Sequence, residues 1–368
     1  MISLVIGFRD RDLKRVKRSL DSLLSQNYNK FELLFIDYGS NFGYALEIRS
    51  LMSNYPFVKY KHADTNGQFW NRAHALNIGA KLSKGDTLVF SDIDLIYPDN
   101  FIERLEREEF ENTYNTFSCY YLNKEVDYNN INDDYKSKSS INYVGLCAMK
   151  KVYWESVGGY DEYYMHWGGE DDDFYKRLEY NGIKRNHFGV DKFEVLHQWH
   201  ITQQLPHPTP WYLEMIHRLY YFQNKNLNNI NEVGNIISNV NRIAFESLPE
   251  NEIITLELYP NKLFQYNLFL EGFFQLKKGQ ICKFPFSKPI KRISKPSRKE
   301  IFLNVINMFL KNVGLTISFL GKKQTNSVHD LQQWNDFVMY FIGKNRNLIY
   351  DYKIVNSDTE SILYIQKD

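Results

Sequence analysis

Over its first two hundred residues the chain alternates short uninterrupted apolar runs with stretches whose apolar positions recur at helical spacing. Ser3–Phe8 predicts a buried strand, and Leu13, Val16, Leu20, Leu23 and Leu24 predict a helix over Leu13–Leu24. Phe31–Asp37 predicts a second strand ending in the turn Asp37-Tyr-Gly-Ser, Asn71–Leu82 a helix closed by Lys84-Gly-Asp, and Thr87–Phe90 a third buried strand. Strands separated by helices of this length predict βαβ units, hence an α/β fold with a mostly parallel, Rossmann-like central sheet. Ligands of such sheets bind at the carboxyl ends of the strands. Arg9, Asp37 and Asp92 stand just past three of those ends, so the pattern expects them to converge on one crevice.

After about residue 222 the texture changes. Asn224–Asn241 is rich in Asn with few strand signals, and reads as a linker or a loose helical segment. Residues 283–323 carry ten Lys or Arg against one Glu, interleaved with Phe, Ile and three prolines. Glu252–Tyr259 and Asn347–Gln366 predict strands, the latter a hairpin around Asn356-Ser-Asp. The expected organisation is a catalytic unit over 1–222 and a smaller α+β or helical appendage over 223–368.

Composition narrows the class. Of 368 residues 43% are hydrophobic and 24% charged, which fits a globular protein and excludes wholesale disorder. Forty-five basic and 44 acidic side chains leave a net charge of +1, so no global field attracts nucleic acid, and none is expected as a partner. The 27 Tyr, 26 Phe and 6 Trp lean toward carbohydrate or nucleotide, since these rings stack on sugars and bases. Cys119, Cys147 and Cys282 are odd in number and far apart, which argues against a disulfide framework or a thiolate metal site. Met1-Ile-Ser-Leu-Val-Ile-Gly has no signal-peptide pattern, and Ile301–Leu320, the most apolar stretch, is broken by Asn304, Asn307, Lys311 and Asn312. The expected compartment is the cytoplasm.

Three Asp-x-Asp pairs occur, and context separates them. Asp92-Ile-Asp94 follows an apolar strand, where two carboxylates can share a crevice with a divalent cation and its phosphate ligand; a solvated turn is the plain alternative. Trp167-Gly-Gly-Glu170-Asp171-Asp172-Asp173 stands before the helical run Phe174–Gly182. The helix dipole accounts for one or two of these acids but not for four, and one of them suits a general base. Five of the nine histidines lie between His187 and His217, and His197-Gln-Trp-His200 spaces two imidazoles to share a cation or to serve as a half-buried pair. Gly7-Phe-Arg-Asp-Arg11 and Phe69-Trp-Asn-Arg72 place arginines at element ends, suited to phosphate or base edges, or to surface salt bridges.

In order, these segments resemble a GT-A nucleotide-sugar glycosyltransferase. SLVIGFRDR and FELLFIDYGS are similar to the family 2 glycosyltransferases; FWNRAHALNIGAKLSKGDTLVFSDIDLIYP and VGGYDEYYMHWGGEDDDFYKRL resemble the β-1,4-galactosyltransferases and chondroitin-polymerase catalytic domains. The resemblance covers roughly residues 1–205. It implies a metal-dependent, inverting transfer of a hexose, galactose or N-acetylgalactosamine favoured, from a UDP-sugar to a glycan or lipid-linked glycan. Asp94, His197 and His200 would hold Mn²⁺, with Mg²⁺ as the substitute, although the vertebrate enzymes carry Met at the position of His197. Phe8, Arg9, Arg11, Asp37, Asn71, Arg72, Asp92 and Ile93 would bind the nucleotide-sugar. Asp171 would be the base, Glu170 would assist it, and Trp167, Glu170 and Asp172 would receive the acceptor. Asn142 lies near the position that distinguishes the two donor sugars. A sugar nucleotidyltransferase would show a richer glycine loop after the first strand, and a non-enzymatic carbohydrate- or Ca²⁺-binding module leaves Asp37 and Phe69–Arg72 unexplained. The basic stretch 283–323 suits the anionic inner face of the plasma membrane, as it does a solvated loop. Asn-, Lys- and Tyr-rich usage points to bacterial surface polysaccharide synthesis.

Overall fold

The computed structural model describes residues 1–139, 145–165, 169–201, 220, 230–238, 242–256, 262–287, 327–357 and 360–368. The chain begins with β1 (Ile2–Phe8), α1 (Leu13–Leu24), β2 (Phe31–Tyr38), α2 (Phe42–Met52), β3 (Val58–Ala63), α3 (Arg72–Leu82) and β4 (Thr87–Ser91). There follow β5 (Leu95–Ile96), α4 (Phe101–Glu106), β6 (Thr113–Phe117), β7 (Tyr120–Leu122), β8 (Lys136–Lys138), β9 (Cys147–Lys150), α5 (Lys151–Ser156), α6 (Glu170–Tyr180), β10 (Lys184–Phe188) and β11 (Leu196–His197).

Seven strands form one sheet in the order β10-β6-β9-β4-β1-β2-β3. β1 pairs in parallel with β2 and β4, and β2 with β3, whereas β9 runs antiparallel to both β4 and β6. β1 and β2 read as continuous apolar runs because both faces are covered. Leu4, Ile6, Leu33 and Phe35 point to one side and pack with Val16, Leu20 and Leu23 of α1. Val5, Leu34 and Ile36 point to the other and pack with Ala75, Leu76 and Ile78 of α3. The helix approaches so closely that a Cβ on Gly79 would collide with Val5. This α/β layering is the mostly parallel, Rossmann-like arrangement the pattern predicts, and it delivers the ends of β1, β2 and β4 to one edge. A second sheet, β5-β11-β7-β8, stands beside it, with β11 antiparallel to β5 and parallel to β7.

The remainder is α+β: β12 (Ile253–Thr255), α7 (Lys262–Gln275), β13 (Ile281–Ser287), α8 (Ser327–Lys344), β14 (Ile349–Asn356) and β15 (Glu360–Lys367), with sheet order β12-β13-β15-β14. The expected hairpin over Asn347–Gln366 is the antiparallel pair β14–β15. The strand expected over Glu252–Tyr259 is confined to β12, and residues 257–260 lie outside the described residues. Phe269, Phe273, Phe284, Trp334, Phe341 and Leu363 form a core that also takes in Phe69 and Met165 from the first unit. One expectation is corrected. The described part of the Asn-rich segment, 230–238, is held against the first unit rather than loose, with Lys81 Nζ donating to the Val233 carbonyl at 2.8 Å and Asp64 N to the Ile237 carbonyl at 3.0 Å. Residues 288–323 of the basic stretch lie outside the described residues, as do Asn142 and Trp167. Among the described residues no helix is long and apolar enough to cross a membrane.

Candidate active site

Arg72 is the first residue of α3, and Asn71 caps that helix by accepting from His74 N at 2.9 Å. From there the Arg72 guanidinium reaches across the sheet edge. Its Nε donates to Asp92 Oδ1 at 3.0 Å, just past β4, and its Nη1 to Asp171 Oδ1 at 3.0 Å, in the first turn of α6. Nη2 donates to the Gly145 carbonyl at 3.2 Å, just before β9, and Glu170 Oε1 lies 3.6 Å from Nη1. One cation therefore joins three separate elements.

The four acids lie inside the helix rather than before it, since α6 begins at Glu170. Gly169 turns the chain into it with φ +95°, a left-handed conformation, and a Cβ there would press on the Tyr164 ring. Helical rotation then separates their roles. Glu170 and Asp171 face Arg72, Asp172 is exposed, and Asp173 turns inward to pair with Arg177 Nε at 2.8 Å and to accept from the Tyr164 hydroxyl at 3.3 Å. Asp173 is thus part of the framework. Burial pushes the Asp171 carboxyl up to about 7, with Arg72 pulling it down and Glu170 and Asp92 pushing it further up. Glu170 is raised too, first by its burial. A buried carboxylate near neutrality, held by a guanidinium, is a competent general base.

Beside it, Asp94, His197 and His200 bring one ligand atom each within 4.8 Å of one another. β11 lies antiparallel to β5, which follows Asp94, and Gln198 N donates to the Asp94 carbonyl at 2.9 Å, so the ladder fixes their approach. Asp94 Oδ2 lies 3.1 Å from His200 Nε2, and Oδ1 lies 3.7 Å from His197 Nε2. Oδ1 is buried without a hydrogen bond, a lone pair that a cation would satisfy. The contact of His200 Nδ1 with the Ile201 carbonyl at 3.0 Å assigns its proton to Nδ1 and leaves Nε2 as the ligand atom. One carboxylate and two imidazoles suit a divalent cation, and the residues fit that group.

The residues expected on the nucleotide side are arranged less openly. Phe8 is fully buried against Phe35, with ring centroids 5.1 Å apart. Arg9 spends its guanidinium on the carbonyls of Tyr38, Gln68 and Thr65 and on the Thr65 hydroxyl. Asp37 lies inside β2 with no exposure; Ser40 N and the Tyr60 hydroxyl donate to it at 3.0 and 2.7 Å, and His62 Nδ1 lies 3.0 Å away. Asp37 therefore does not open onto the crevice as expected, because its carboxylate closes the β2–β3 edge. Asn71 and Ile93 are buried, and Arg11 is half-buried. Sequence spacing found the acids and histidines but missed the bridging by Arg72 and the Gly145 carbonyl, both of which exist only once β4, β9 and α6 are assembled.

Residues 3–152 match the family described as glycosyl transferase family 2, and residues 126–203 the one described as N-terminal domain of galactosyltransferase. β-1,4-Galactosyltransferase 1 of Bos taurus is 30% identical over 149 residues, covering 38% of this chain and 33% of that protein. β-1,4-Galactosyltransferase 4 of Cricetulus griseus is 25% identical over 176 residues, covering 39% of this chain and 47% of that protein. The chain thus spans a third to a half of the length of these relatives. The crystal structure of GalNAc-T7 with UDP, GalNAc and Mn²⁺ superposes with a TM-score of 0.44 at 18% identity, over 55% of this chain and 44% of that one.

Proposed function

Residues 3–203 being a GT-A glycosyltransferase domain of the family 2 type that resembles the β-1,4-galactosyltransferases, we propose that the protein transfers a hexose from a UDP-sugar to a glycan hydroxyl with inversion. In this reading galactose and N-acetylgalactosamine are the favoured sugars, and bacterial surface polysaccharide synthesis in the cytoplasm, on a free or lipid-linked glycan, is the proposed setting. The observation that carries the reading is the Arg72 bridge from Asp92 to Asp171, with the Asp94, His197 and His200 cluster beside it.

The chemistry follows from where these groups stand. Asp171 accepts the proton of the acceptor hydroxyl, and the freed oxygen attacks the anomeric carbon from the face opposite the diphosphate. The C–O bond to phosphate breaks, and UDP leaves with the electron pair. Arg72 holds the base in place and puts a fixed positive charge beside the reacting centre. Asp94, His197 and His200 would hold Mn²⁺ or Mg²⁺, which supplies positive charge to stabilise a diphosphate leaving group. Glu170 and Asp172, on the same turn of α6, flank the acceptor.

The test is binding and slow hydrolysis of UDP-galactose, UDP-N-acetylgalactosamine and UDP-glucose, with Mn²⁺ and with EDTA. Metal-dependent binding with one preferred sugar is expected. Absence of binding to all three with Mn²⁺ present overturns both the donor and the metal assignments.

A further inference from the structure

We propose that the C-terminal α+β unit is a positioning part of the active site, in which Asp351, Tyr352 and Arg346 hold the two backbone segments that present Arg72 and Asp171. The consequence for catalysis rests on the glycosyltransferase reading; the anchoring itself does not.

The first arm grips residues 64–69, the loop between β3 and α3. β14 carries a bulge, since Ile349 pairs with Lys367 but Asp351 with Gln366, which leaves Tyr350 as the extra residue. Bulges re-aim side chains, and here Asp351 is turned inward to 3% exposure. Its Oδ1 accepts from Gln68 Nε2 at 3.0 Å, and its Oδ2 from Arg242 Nε at 3.0 Å and Ile243 N at 2.9 Å. Arg242 in turn donates to the carbonyls of Asp64 at 2.9 Å and Asn66 at 3.2 Å. The Tyr352 hydroxyl accepts from Phe69 N at 3.2 Å, and Ile354 N donates to the Gly67 carbonyl at 2.8 Å. From the other side Arg9 holds the carbonyls of Thr65 and Gln68. Phe69 stands three residues before Arg72.

The second arm grips residues 160–165, which lead toward α6. Arg346 Nη1 lies 2.6 Å from Glu162 Oε2 and donates to the Glu162 carbonyl at 3.3 Å. Gly343 lets α8 lie against Tyr163, since a Cβ there would stand 3.0 Å from the Tyr163 carbonyl oxygen. The arms meet at the start of α3. Asn71 Nδ2 donates to that same Glu162 carbonyl at 2.7 Å, while Glu162 Oε1 accepts from Asn77 Nδ2 at 3.0 Å and Gly234 N at 2.7 Å. Buried carboxylates shared among several chain segments make stiff joints. A displacement of about 1 Å at a reacting group lowers rates by about 10²-fold, so stiffness at this joint has a kinetic consequence.

The test uses the full chain with Tyr352→Phe, which removes one acceptor and keeps the ring, and Asp351→Asn, with the half-exposed Tyr350→Ala as the control. Hydrogen exchange is read over residues 64–75, along with Tm, and with kcat and KM for UDP-sugar turnover. Both test variants should exchange faster at Gln68–Ala73. Their kcat should fall by about tenfold or more while KM for the donor moves by less than about threefold, because the groups are misplaced rather than lost. If Asp351→Asn fails to fold, Tyr352→Phe carries the decision. Folded variants with unchanged exchange, or with kcat within about twofold of the parent, overturn the proposal, and so does a loss that appears in KM alone. A parent protein inert toward every UDP-sugar overturns the functional reading instead, and exchange at 64–75 then decides the anchoring by itself.

Discussion

Arg72 donates to an aspartate past a strand, to an aspartate on a helix and to a backbone carbonyl, so its charge is committed in three directions at once. Two acids, the buried Glu170 and the largely buried Asp171, share that charge, and the balance leaves Asp171 near 7. Two predictions belong at this scale. Asp171→Asn keeps the hydrogen bond from Arg72 but removes the base. Transfer should fall by ~10²–10⁴-fold while UDP binding, measured by calorimetry, stays close to that of the parent; near-parental turnover would falsify the assignment. The second concerns pH. The base acts deprotonated, and its folded value is raised, so kcat/KM should climb about tenfold per pH unit up to about 7 and then level. A limb centred near the ordinary aspartate value would mean that another group carries the proton.

Elements explain how those residues come to be where they are. α6 begins with four acids in a row, and its rotation sends two to Arg72, one to solvent and one to Arg177. α3 must lie flat on β1 to bring Arg72 to the edge, and Gly79 permits it. Gly79→Ala should therefore lower Tm although alanine is the better helix former. Overpacking against Val5 costs about 1–3 kcal/mol, against a propensity gain of about 1 kcal/mol. A raised Tm would show that the contact relaxes. The same elements show how far the sequence could be read. β1, β2, β4 and α1 were legible because each has a single dominant period or an unbroken apolar run. β3 (Val-Lys-Tyr-Lys-His-Ala) and β10 (Lys-Arg-Asn-His-Phe) were not, since they are the edges of the sheet and carry polar side chains where an inner strand would be apolar. At the site, spacing marked the Asp92/Asp94 and His197/His200 pairs separately, and only the family resemblance implied that Asp94, His197 and His200 act together. Asp37 was misplaced because nothing local announces that Tyr60 and His62 will close over it.

At the scale of the molecule the two units share a core and a charged joint, so they should not respond to acid independently. Burial alone would raise Glu162, but His74 and then Arg346, with hydrogen bonds from Asn77 and Gly234, bring it down to about 2. His74 is itself lowered by burial, so Arg346 is the partner that acts at neutral pH. A depressed folded value means the contribution is complete above the ordinary glutamate range and is lost as pH falls from there toward about 2. Glu162→Gln should flatten the acid limb of a stability–pH curve recorded by denaturant titration, and an unchanged limb would show that the joint is not what acid breaks.

β9 is inserted against the grain of the sheet, and for that reason its leading end, rather than its trailing end, stands over the crevice, where Gly145 meets Arg72. Its two ladders, to β4 and β6, fix that leading end in place. A backbone carbonyl thereby enters the charge network of the crevice, a contact to Arg72 that no side-chain substitution at position 145 removes.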